Sequence, residues 1–424
     1  MSAEDERASA EDRPEAVSPF AAMRHRDFRI YWSGQSISMI GMWMQQMAQA
    51  WVVVKLTGSS ATIATISFVS SLPMIALAMK AGSLADRYDR RRILMVTQVL
   101  LAACAFVYAA LIASDELTLG LVYVLAFCLG VVVAFDLPAA AAITPTLVPK
   151  EAIPSAISLM QSIFHGARLI GPALAGVVMA ATSAAWAFVA NGVSYFAVVA
   201  SLAVIRPRDA ASARARTASG GGMGEAFAYL REHHEIRGLI VFAGMTTALV
   251  FPFLVVFMAI VVKQHFVGDE RALGVIMASS GLGALGGSLA LPRVPSALRR
   301  RVIGAGCALS GVLLASLGLV HHIWAAAFLL TAMNVCVALS LGLAATIVQT
   351  TVPDRMRGRI MGLWGITFTG VMPASALLLG VVADQITLGT TLVIVGLLYP
   401  CLALPWLWRE GIIGPRRAAA TVST

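Results

Sequence analysis

Charged residues are scarce in this sequence, at 12% of its 424 residues, whereas hydrophobic residues make up 58%. A typical soluble domain is about 25% charged and roughly 45–50% apolar. A chain with so few polar side chains cannot cover a water-soluble globule, so a soluble enzyme is excluded. Disordered and collagen-like chains are excluded by the same composition. The composition therefore indicates a polytopic membrane protein.

Several functional motifs are also missing. Residues 1–26 lack the apolar run of a cleavable signal peptide and predict a short flexible tail. No nucleotide-binding P-loop is found, so an ion gradient or the substrate's own gradient must drive any transport. No cofactor or metal is expected, because the five cysteines lie in apolar segments without metal-ligand spacing and are read as packing residues: Cys104, Cys128, Cys307, Cys336 and Cys401.

Apolar runs long enough to cross a bilayer recur along the chain. A spanning helix needs about 20 predominantly apolar residues. The sequence predicts twelve such spans, at roughly 28–54, 61–81, 93–113, 118–146, 154–180, 186–205, 238–262, 273–291, 302–320, 323–350, 360–383 and 388–408.

The basic residues are distributed unequally between the two predicted membrane faces. With both termini cytoplasmic, 26 of the 31 lysines and arginines fall in cytoplasmic segments. Positive residues orient membrane proteins in this way. The sequence therefore predicts a multi-pass protein of the cell (inner) membrane with both termini inside. The net charge of +9 then needs no nucleic-acid partner.

The longest predicted connection divides the spans six and six. It begins polar and glycine-rich and becomes amphipathic from Glu225 to Arg231. We expect a cytoplasmic N-tail at 1–27, a first bundle at 28–205, a linker with an amphipathic helix at 206–237, a second bundle at 238–410 and a cytoplasmic C-tail at 411–424.

The two halves repeat short motifs at a nearly constant offset. Gly82-Ser-Leu-Ala recurs as Gly287-Ser-Leu-Ala, 205 residues later, and Gly176 corresponds to Gly380 at an offset of 204. The Val-Pro pair ending at Pro149 likewise recurs 204 residues later. Parallel repeats of six spans are a known transporter architecture, with the substrate site between the halves.

The segment Gly82-Ser-Leu-Ala-Asp-Arg-Tyr-Asp-Arg-Arg-Arg resembles the loop between spans 2 and 3 of the major facilitator superfamily, with Asp89 where glycine is usual. Further stretches, beginning at Phe135, Gly166 and Val352, resemble its enterobactin-exporter-like efflux branch, the transmembrane secretion effectors. The resemblance implies an all-α fold of 12 transmembrane helices in two pseudo-symmetric six-helix bundles. In this branch the run beginning Phe135-Asp-Leu-Pro-Ala usually continues Arg-Gln, but here alanine follows.

The resemblance implies that the loop at 82–92 is a conformational latch, in which Asp86 faces a helix N-terminus of the other half. Alternatively, its arginines only satisfy the positive-inside rule. The latch candidates are Gly82, Asp86, Arg87, Arg90 and Arg91. A different predicted cytoplasmic loop, in the second half, carries Asp354, Arg355, Arg357 and Arg359.

Asp136 and Arg168 are fully charged residues deep within predicted spans. Burying a lone charge in a bilayer costs roughly 2.5–3.5 kcal/mol on insertion scales, so each needs a partner or a hydrated cavity. Asp136 could pair with Arg168, or with Arg87 or Arg90, or it could serve as a protonatable coupling site. His165 could carry a proton or form an ordinary packing contact.

Small residues and prolines are concentrated in spans 5 and 11. Such residues allow a helix to bend and to approach a neighbour closely. The candidates are Gly166, Gly171, Pro172, Gly176 and Pro373. The segment of span 5 resembles one found in antiporters, which favours export, but small-residue packing alone accounts for the same residues.

One face of span 1 is unusually polar. At 100° per residue, this face carries Gln35, Ser38, Met39, Met42, Gln45, Gln46 and Gln49. Glutamines facing lipid are costly, so the face should line a hydrated cavity or form interhelical hydrogen bonds. Amides and thioethers suit bulky amphipathic compounds. Asn334 and Gln349, together with Leu341 and Ala345, form a weaker counterpart on span 10.

The sequence therefore predicts a monomeric secondary active exporter of a drug-like or siderophore-like amphipathic molecule. Its partners are the small-molecule substrate, a proton or another ion, and the lipid bilayer. A lipid or lysolipid flippase of the same fold is the nearest alternative. A membrane-embedded enzyme is disfavoured because no catalytic constellation is found in the spans, and a receptor is disfavoured because no signalling domain is found.

Overall fold

The computed structural model describes residues 20–205 and 223–413, except for a few side chains within helices, and both ranges are helical without strands. Ser59, Asp89 and Thr118 begin three of the first helices by accepting a backbone N–H bond. The first half contains α1 (Arg26–Thr57), α2 (Ser60–Arg87), α3 (Arg90–Ala113), α4 (Leu119–Ile143), α5 (Ile153–Ala181) and α6 (Ala184–Val204).

The second half is helical with two irregular segments. Its helices are α7 (Met223–Glu232), α8 (His234–Leu249), α9 (Glu270–Ala290), α10 (Arg299–Leu317), α11 (Ile323–Thr351), α12 (Asp354–Ile366), α13 (Met372–Gln385) and α14 (Leu388–Arg409). After α8 the chain forms π-helical turns at Pro252–Val256 and Val261–His265, on either side of the short helix Met258–Ile260. A third π-helical turn, Thr367–Val371, connects α12 to α13.

Within the described ranges, 10 helices are long and apolar enough to cross a membrane, two fewer than the predicted twelve spans. The difference lies at the first and seventh predicted spans. At 32 residues, α1 extends about 48 Å, which is more than a bilayer needs, but its glutamines lower its hydropathy. The seventh segment is interrupted by its π-helical turns. Both segments nevertheless pack among the other spans.

Large apolar side chains cover the outer surface of the helices. Leu378 and Phe328 are each 73% exposed, and Val177 is 66% exposed. Apolar residues in such numbers on the outside of a bundle are unfavourable in water and favourable against lipid tails. The exposed surface therefore agrees with a bilayer as the surrounding solvent.

The helices form two bundles that meet along two lines of contact. In the first half α1 packs on α5 and α6, α2 packs on α4, and α3 packs on both α4 and α6. In the second half α11 packs on α9 and α10, and α14 packs on α8 and α10. The halves meet where α5 packs on α9 and where α2 packs on α13. The internal repeat relates these two contacts to each other. Spans 2 and 5 (α2 and α5) correspond to spans 8 and 11 (α9 and the segment that ends in α13), so each contact joins a span of one type to a span of the other.

The last residues of the predicted N-terminal tail are structured. Ala21–Arg24 form a 3-10 helix, and the backbone N–H of buried Ala22 donates to Ser155 Oγ at 3.1 Å. The prediction of a flexible tail as far as residue 26 was therefore wrong for this segment. Residues 1–19, 206–222 and 414–424 lie outside the described ranges, so most of the two tails and the first half of the predicted linker do too.

The bundle has two faces that are referred to below. The terminal face carries the start of α1 and the end of α14, and also the turns between α2 and α3 and between α4 and α5. The opposite face carries the turns that follow α1, α3, α5 and α13.

Candidate functional site

A cavity of about 490 Å³ lies between α1 and the other helices of the first half, with Val255 and Val256 of the second half in its wall. From α1 it is lined by Gln35, Ser38, Met39, Met42, Gln45, Gln46 and Gln49. These are all seven residues of the polar face that helical periodicity places on one side of span 1. A volume of this size is typical of small-molecule sites.

The glutamines of α1 differ in their partners. Gln35 donates to Tyr31 Oη at 2.7 Å, and Gln45 accepts from Asn191 Nδ2 on α6 at 2.7 Å. Gln46 and Gln49 are half-buried and form no hydrogen bond to another described residue. The polar face therefore contains one hydrogen bond within α1, one between α1 and α6, and two amide groups without a described hydrogen bond at the cavity wall.

Asp136 on α4 also lines this cavity. Its Oδ1 accepts hydrogen bonds from Thr97 Oγ1 at 2.6 Å and from Gln98 Nε2 at 3.0 Å, both on α3. No described residue donates to its Oδ2. The phenol of Tyr195 lines the same cavity. The carboxylate is thus held by neutral groups at the cavity wall.

Arg168 lies between the two halves, away from Asp136. Its guanidinium donates to Ser280 Oγ on α9 at 3.2 Å and lies over the Trp43 ring, 5.7 Å from the centroid. The possible pairing of Asp136 with Arg168 was therefore wrong, because the two side chains leave their helices in different directions. Pairing with Arg90 was also wrong, since the donors to Asp136 are Thr97 and Gln98, which lie further along α3.

His165 packs edge-on against Phe164, with ring centroids 5.7 Å apart. Its Nδ1 is buried and has no hydrogen-bond partner. The ring does not line the cavity. These contacts agree with the packing interpretation and give the ring no route to the Asp136 carboxylate.

Two of the small residues in span 5 make close helix contacts. A Cβ at Gly171 would meet the Cβ of Trp43 at 2.6 Å, and one at Gly176 would meet Gly274 Cα at 3.1 Å. Pro172 is buried within the continuous helix α5. The predicted packing role of Gly166 was wrong, because nothing lies within 4 Å of its would-be Cβ.

In span 11 the helical pattern changes before Pro373. This buried proline is the second residue of α13 and follows the π-helical turn that ends α12. The irregular turn accommodates the proline, which lacks a backbone N–H.

Side chains join the halves at the opposite face. Glu270, the first residue of α9, accepts from Trp51 Nε1 at 2.8 Å and pairs with Lys55 Nζ at 2.5 Å. Gln264 Nε2 donates to the carbonyl of Gly58 at 2.7 Å. The sequence analysis did not identify these residues as functional. Their signal was weak, because single charges at predicted helix ends occur in many membrane proteins.

Asp384 makes a second connection at this face. Located near the end of α13, it accepts from Ser59 Oγ at 2.6 Å and from the backbone N–H groups of Ser60 and Ala61 at 2.7 and 3.1 Å. These N–H groups belong to the start of α2, so a carboxylate of one half caps a helix of the other half. The sequence analysis also missed this residue.

In the latch segment, residues 82–92, the described arginine contacts stay within the first half. Arg90 Nη1 donates to the carbonyl of Ala142 at 3.2 Å, and Arg91 donates to the carbonyls of Leu202 and Ala203 at 2.5 and 2.8 Å. These carbonyls lie at the C-terminal ends of α4 and α6, where positive groups are favourable. Gly82 has no atom within 4 Å of its would-be Cβ.

The side chains of Asp86 and Arg87 lie outside the described part of the structure, and so does that of Asp354. The prediction of a loop at residues 354–359 was wrong, because these residues form the start of α12. Arg359 forms an ion pair with Glu225 of α7. Arg357 donates to the carbonyl of Val352 at 3.5 Å, and Arg355 is exposed. The start of α12 therefore holds the amphipathic helix α7 against the second half.

The predicted counterpart of the polar face on span 10 was wrong. Asn334 Nδ2 donates to the carbonyl of Leu330 in its own helix at 2.9 Å, and the exposed Gln349 lies near the end of α11. Neither residue lines the cavity. Two polar residues on the long apolar helix α11 are too few to define a face. On α1, by contrast, seven residues recur with helical periodicity.

The repeated halves, the helical segments and the internal cavity define a secondary transporter with the major facilitator fold. The chain belongs to the transmembrane secretion effector family, whose profile matches residues 17–405. This assignment confirms the family resemblance of the sequence motifs. It also makes the protein a membrane transporter rather than an enzyme.

Relatives with assigned substrates are similar over most of the chain. The staphyloferrin A transporter of Staphylococcus aureus (strain NCTC 8325 / PS 47) is 24% identical, over 89% of this chain and 94% of the relative. The macrolide efflux protein A of Streptococcus pyogenes is 25% identical with the same coverages. The enterobactin exporter of Salmonella choleraesuis (strain SC-B67) is 25% identical, over 88% of this chain and 91% of the relative.

The fold is also found among solved structures. A bacterial homolog of the human lysosomal transporter Spinster, in an inward-facing and occupied conformation, matches with a TM-score of 0.70 and 11% identity. The match covers 90% of this chain and 96% of that chain. At this identity the similarity establishes the fold alone.

Proposed function

We propose that this protein exports an amphipathic small molecule across the bacterial inner membrane by alternating access, in exchange for protons. The observation that supports this most is the cavity of about 490 Å³, in which amides and thioethers of α1 face aliphatic side chains. Such a wall accepts bulky molecules with a polar part and an apolar part. Two relatives that are similar over most of the chain are named as a staphyloferrin A transporter and a macrolide efflux protein.

The proposed orientation places the terminal face in the cytoplasm, in accord with the distribution of basic residues. Hydrogen bonds between the halves in the described ranges lie at the opposite face, or at mid-membrane in the case of Arg168 with Ser280. The state described is then closed toward the outside, and the cavity is loaded from the cytoplasm or the inner leaflet. The latch segment with Asp86 is proposed to close the terminal face in the other state.

Asp136 is the proposed site of proton exchange. It is a carboxylate in the cavity wall, and the groups that face it are Thr97 and Gln98 from α3 and the phenols of Tyr31 and Tyr195. Among the described residues no cation is paired with it, so its protonation state can change when the cavity is exposed to either side. A proton bound from outside would favour release of cargo there.

Transport of a neutral dansyl alkyl amide out of proteoliposomes tests this function. We expect the wild type to release the probe faster when the outside of the vesicles is made more acidic than the inside. Asp136→Asn should lose this acceleration. The double variant Gln46→Leu/Gln49→Leu should transport at least about tenfold more slowly, because two unpaired amides leave the cavity wall. Gln349→Leu, a matched change at an exposed glutamine outside the cavity, should transport normally.

The proposal fails if the wild type moves the probe no faster than protein-free vesicles. If the double variant and Gln349→Leu transport equally well, the cavity beside α1 is not the transport site.

A further inference from the structure

The cavity contains one charged side chain among the residues that line it. That side chain is the carboxylate of Asp136, and the described lining residues include no lysine, arginine or histidine. The remaining polar groups are amides, hydroxyls and the phenol of Tyr195, all of which are neutral at physiological pH. The formal charge of the cavity is therefore −1 when Asp136 is ionised.

The contacts of Asp136 do not neutralise this charge. Thr97 and Gln98 donate to Oδ1 as neutral groups, and no described residue donates to Oδ2. Two described arginines that could have paired with it have other contacts: Arg168 contacts Ser280 and Trp43, and Arg90 donates to the carbonyl of Ala142. A carboxylate in a partly dry space is strongly stabilised by a cation that arrives with the ligand.

Ala140 lies one helical turn beyond Asp136 on α4 and lines the same cavity. Positions four residues apart on a helix are neighbours, so a basic side chain at 140 could form an ion pair with Asp136. Alanine at this position keeps the carboxylate uncompensated and leaves space beside it.

The rest of the cavity wall is apolar and adaptable. Met39, Met42, Met74 and Met160 line it, together with valine, leucine and isoleucine side chains. Unbranched thioethers adjust to ligands of varied shape. This wall matches the hydrophobic body of a ligand, while Asp136 matches a positive group.

From these observations we infer that the cavity selects hydrophobic cations, such as alkyl ammonium compounds, over anions of equal size. Asp136 is the specificity-determining counter-charge, and Ala140 keeps the site free of a competing cation. This inference rests on the proposed export function, and it narrows the cargo to one charge class.

Three dansyl probes with the same alkyl chain test the inference in proteoliposomes of the full chain. One ends in a quaternary ammonium group, one in a neutral amide and one in a sulfonate, so none of the end groups titrates near neutral pH. We expect the wild type to move the ammonium probe about tenfold faster than the sulfonate probe, as an ion pair in a partly dry cavity predicts.

Substitutions then assign the preference to its residues. Asp136→Asn should lose the preference for the ammonium probe, and Asp136→Glu should retain most of it. Ala140→Arg should also lose the preference, because its guanidinium pairs with the Asp136 carboxylate. The double variant Ala140→Arg/Asp136→Asn should favour the sulfonate probe, a gain that a misfolded variant cannot show. Glu151→Gln, which removes an exposed carboxylate outside the cavity, should behave as the wild type.

The possible failures are distinguishable. If the neutral probe is moved but the sulfonate probe is moved as fast as the ammonium probe, the inference is overturned and the export function stands. An unchanged preference in both Asp136→Asn and Ala140→Arg also overturns it. If none of the three probes is moved, the proposed function itself fails.

Discussion

Two buried asparagines, Asn191 and Asn334, differ in the hydrogen-bond partners of their side-chain amides. Buried Asn191 on α6 donates to Gln45 on α1, which joins the two helices. Its side-chain oxygen accepts from Ser194 Oγ, also on α6, at 3.0 Å. By contrast, the described hydrogen bond of Asn334 goes to the backbone carbonyl of Leu330 in its own helix. Removing one partner of a buried hydrogen bond leaves the other unsatisfied, which costs about 1–3 kcal/mol.

We therefore expect Asn191→Leu to lower the thermal unfolding midpoint of the purified protein in detergent by several degrees. The oxygen of Gln45 loses its donor in this variant. The matched change Asn334→Leu should have a smaller effect, because the carbonyl of Leu330 keeps its place in the helix. Adding Gln45→Leu to Asn191→Leu should restore part of the loss, since both partners are then apolar. Equal midpoints for the two single variants would contradict this account.

Helix ends carry the interactions that hold the halves together at the opposite face. The start of α2 is capped by Asp384 of α13, and the start of α9 carries Glu270, which binds Trp51 and Lys55 of α1. Gly380 allows the close approach of α13 to α2, because a Cβ there would meet Ala61 Cα at 3.0 Å. Side chains at two helix N-termini thus stabilise one conformation of the whole transporter.

Asp384→Ala should shift the protein toward opening at the opposite face. Loss of about 1.5 kcal/mol of charge-assisted hydrogen bonding changes a two-state population by about tenfold. A cysteine at the buried, cavity-lining position Ile63 should then react correspondingly faster with an impermeant maleimide, once the natural cysteines are replaced by alanine.

Asp269→Ala is the matched control for this shift. Asp269 lies at the same face, but it caps the start of its own helix, α9, by accepting from Ala272 N–H at 2.9 Å. Its removal should leave the reactivity of the cysteine unchanged. If both alanine variants accelerate the reaction of the cysteine equally, the assay reports a general loosening of the protein. It would then not report loss of the contact between the halves.

At the scale of the whole molecule, the internal repeat makes the two contacts between the halves equivalent. Gly176 on α5 packs against Gly274 on α9, and its repeat partner Gly380 packs against Ala61 on α2. Both contacts lie toward the opposite face, so rocking of one half on the other can open this face and close the terminal face. The proposed latch segment lies at the terminal face and would act in the state in which that face is closed.

Asp86→Asn should consequently slow transport, because the state closed at the terminal face loses its proposed latch. Spin-label distances across the terminal face should show a larger share of open molecules than in the wild type. Asp89→Asn is the control in the same loop, because Asp89 Oδ1 accepts from Arg91 N–H at 3.0 Å within its own helix. Wild-type rates and distances in Asp86→Asn would remove the latch assignment.

The polar face of α1 was predictable because helical periodicity alone determines which side chains share a face. The partners of Asp136 were not predictable in the same way. Depth in the membrane placed Asp136 and Arg168 near each other, but the rotation of α4 and α5 about their axes sends one to the cavity and the other to Ser280.

The sequence by itself determined the membrane environment, the segmentation into two repeated halves and the family of this protein, because composition, periodicity and local motifs act over short stretches of chain. Only the tertiary structure decided that Asp384 caps α2, that Glu270 binds Lys55 and that Asp136 lines a cavity whose other described lining residues are uncharged. Contacts between distant residues depend on how helices rotate and pack against each other, which no local pattern specifies.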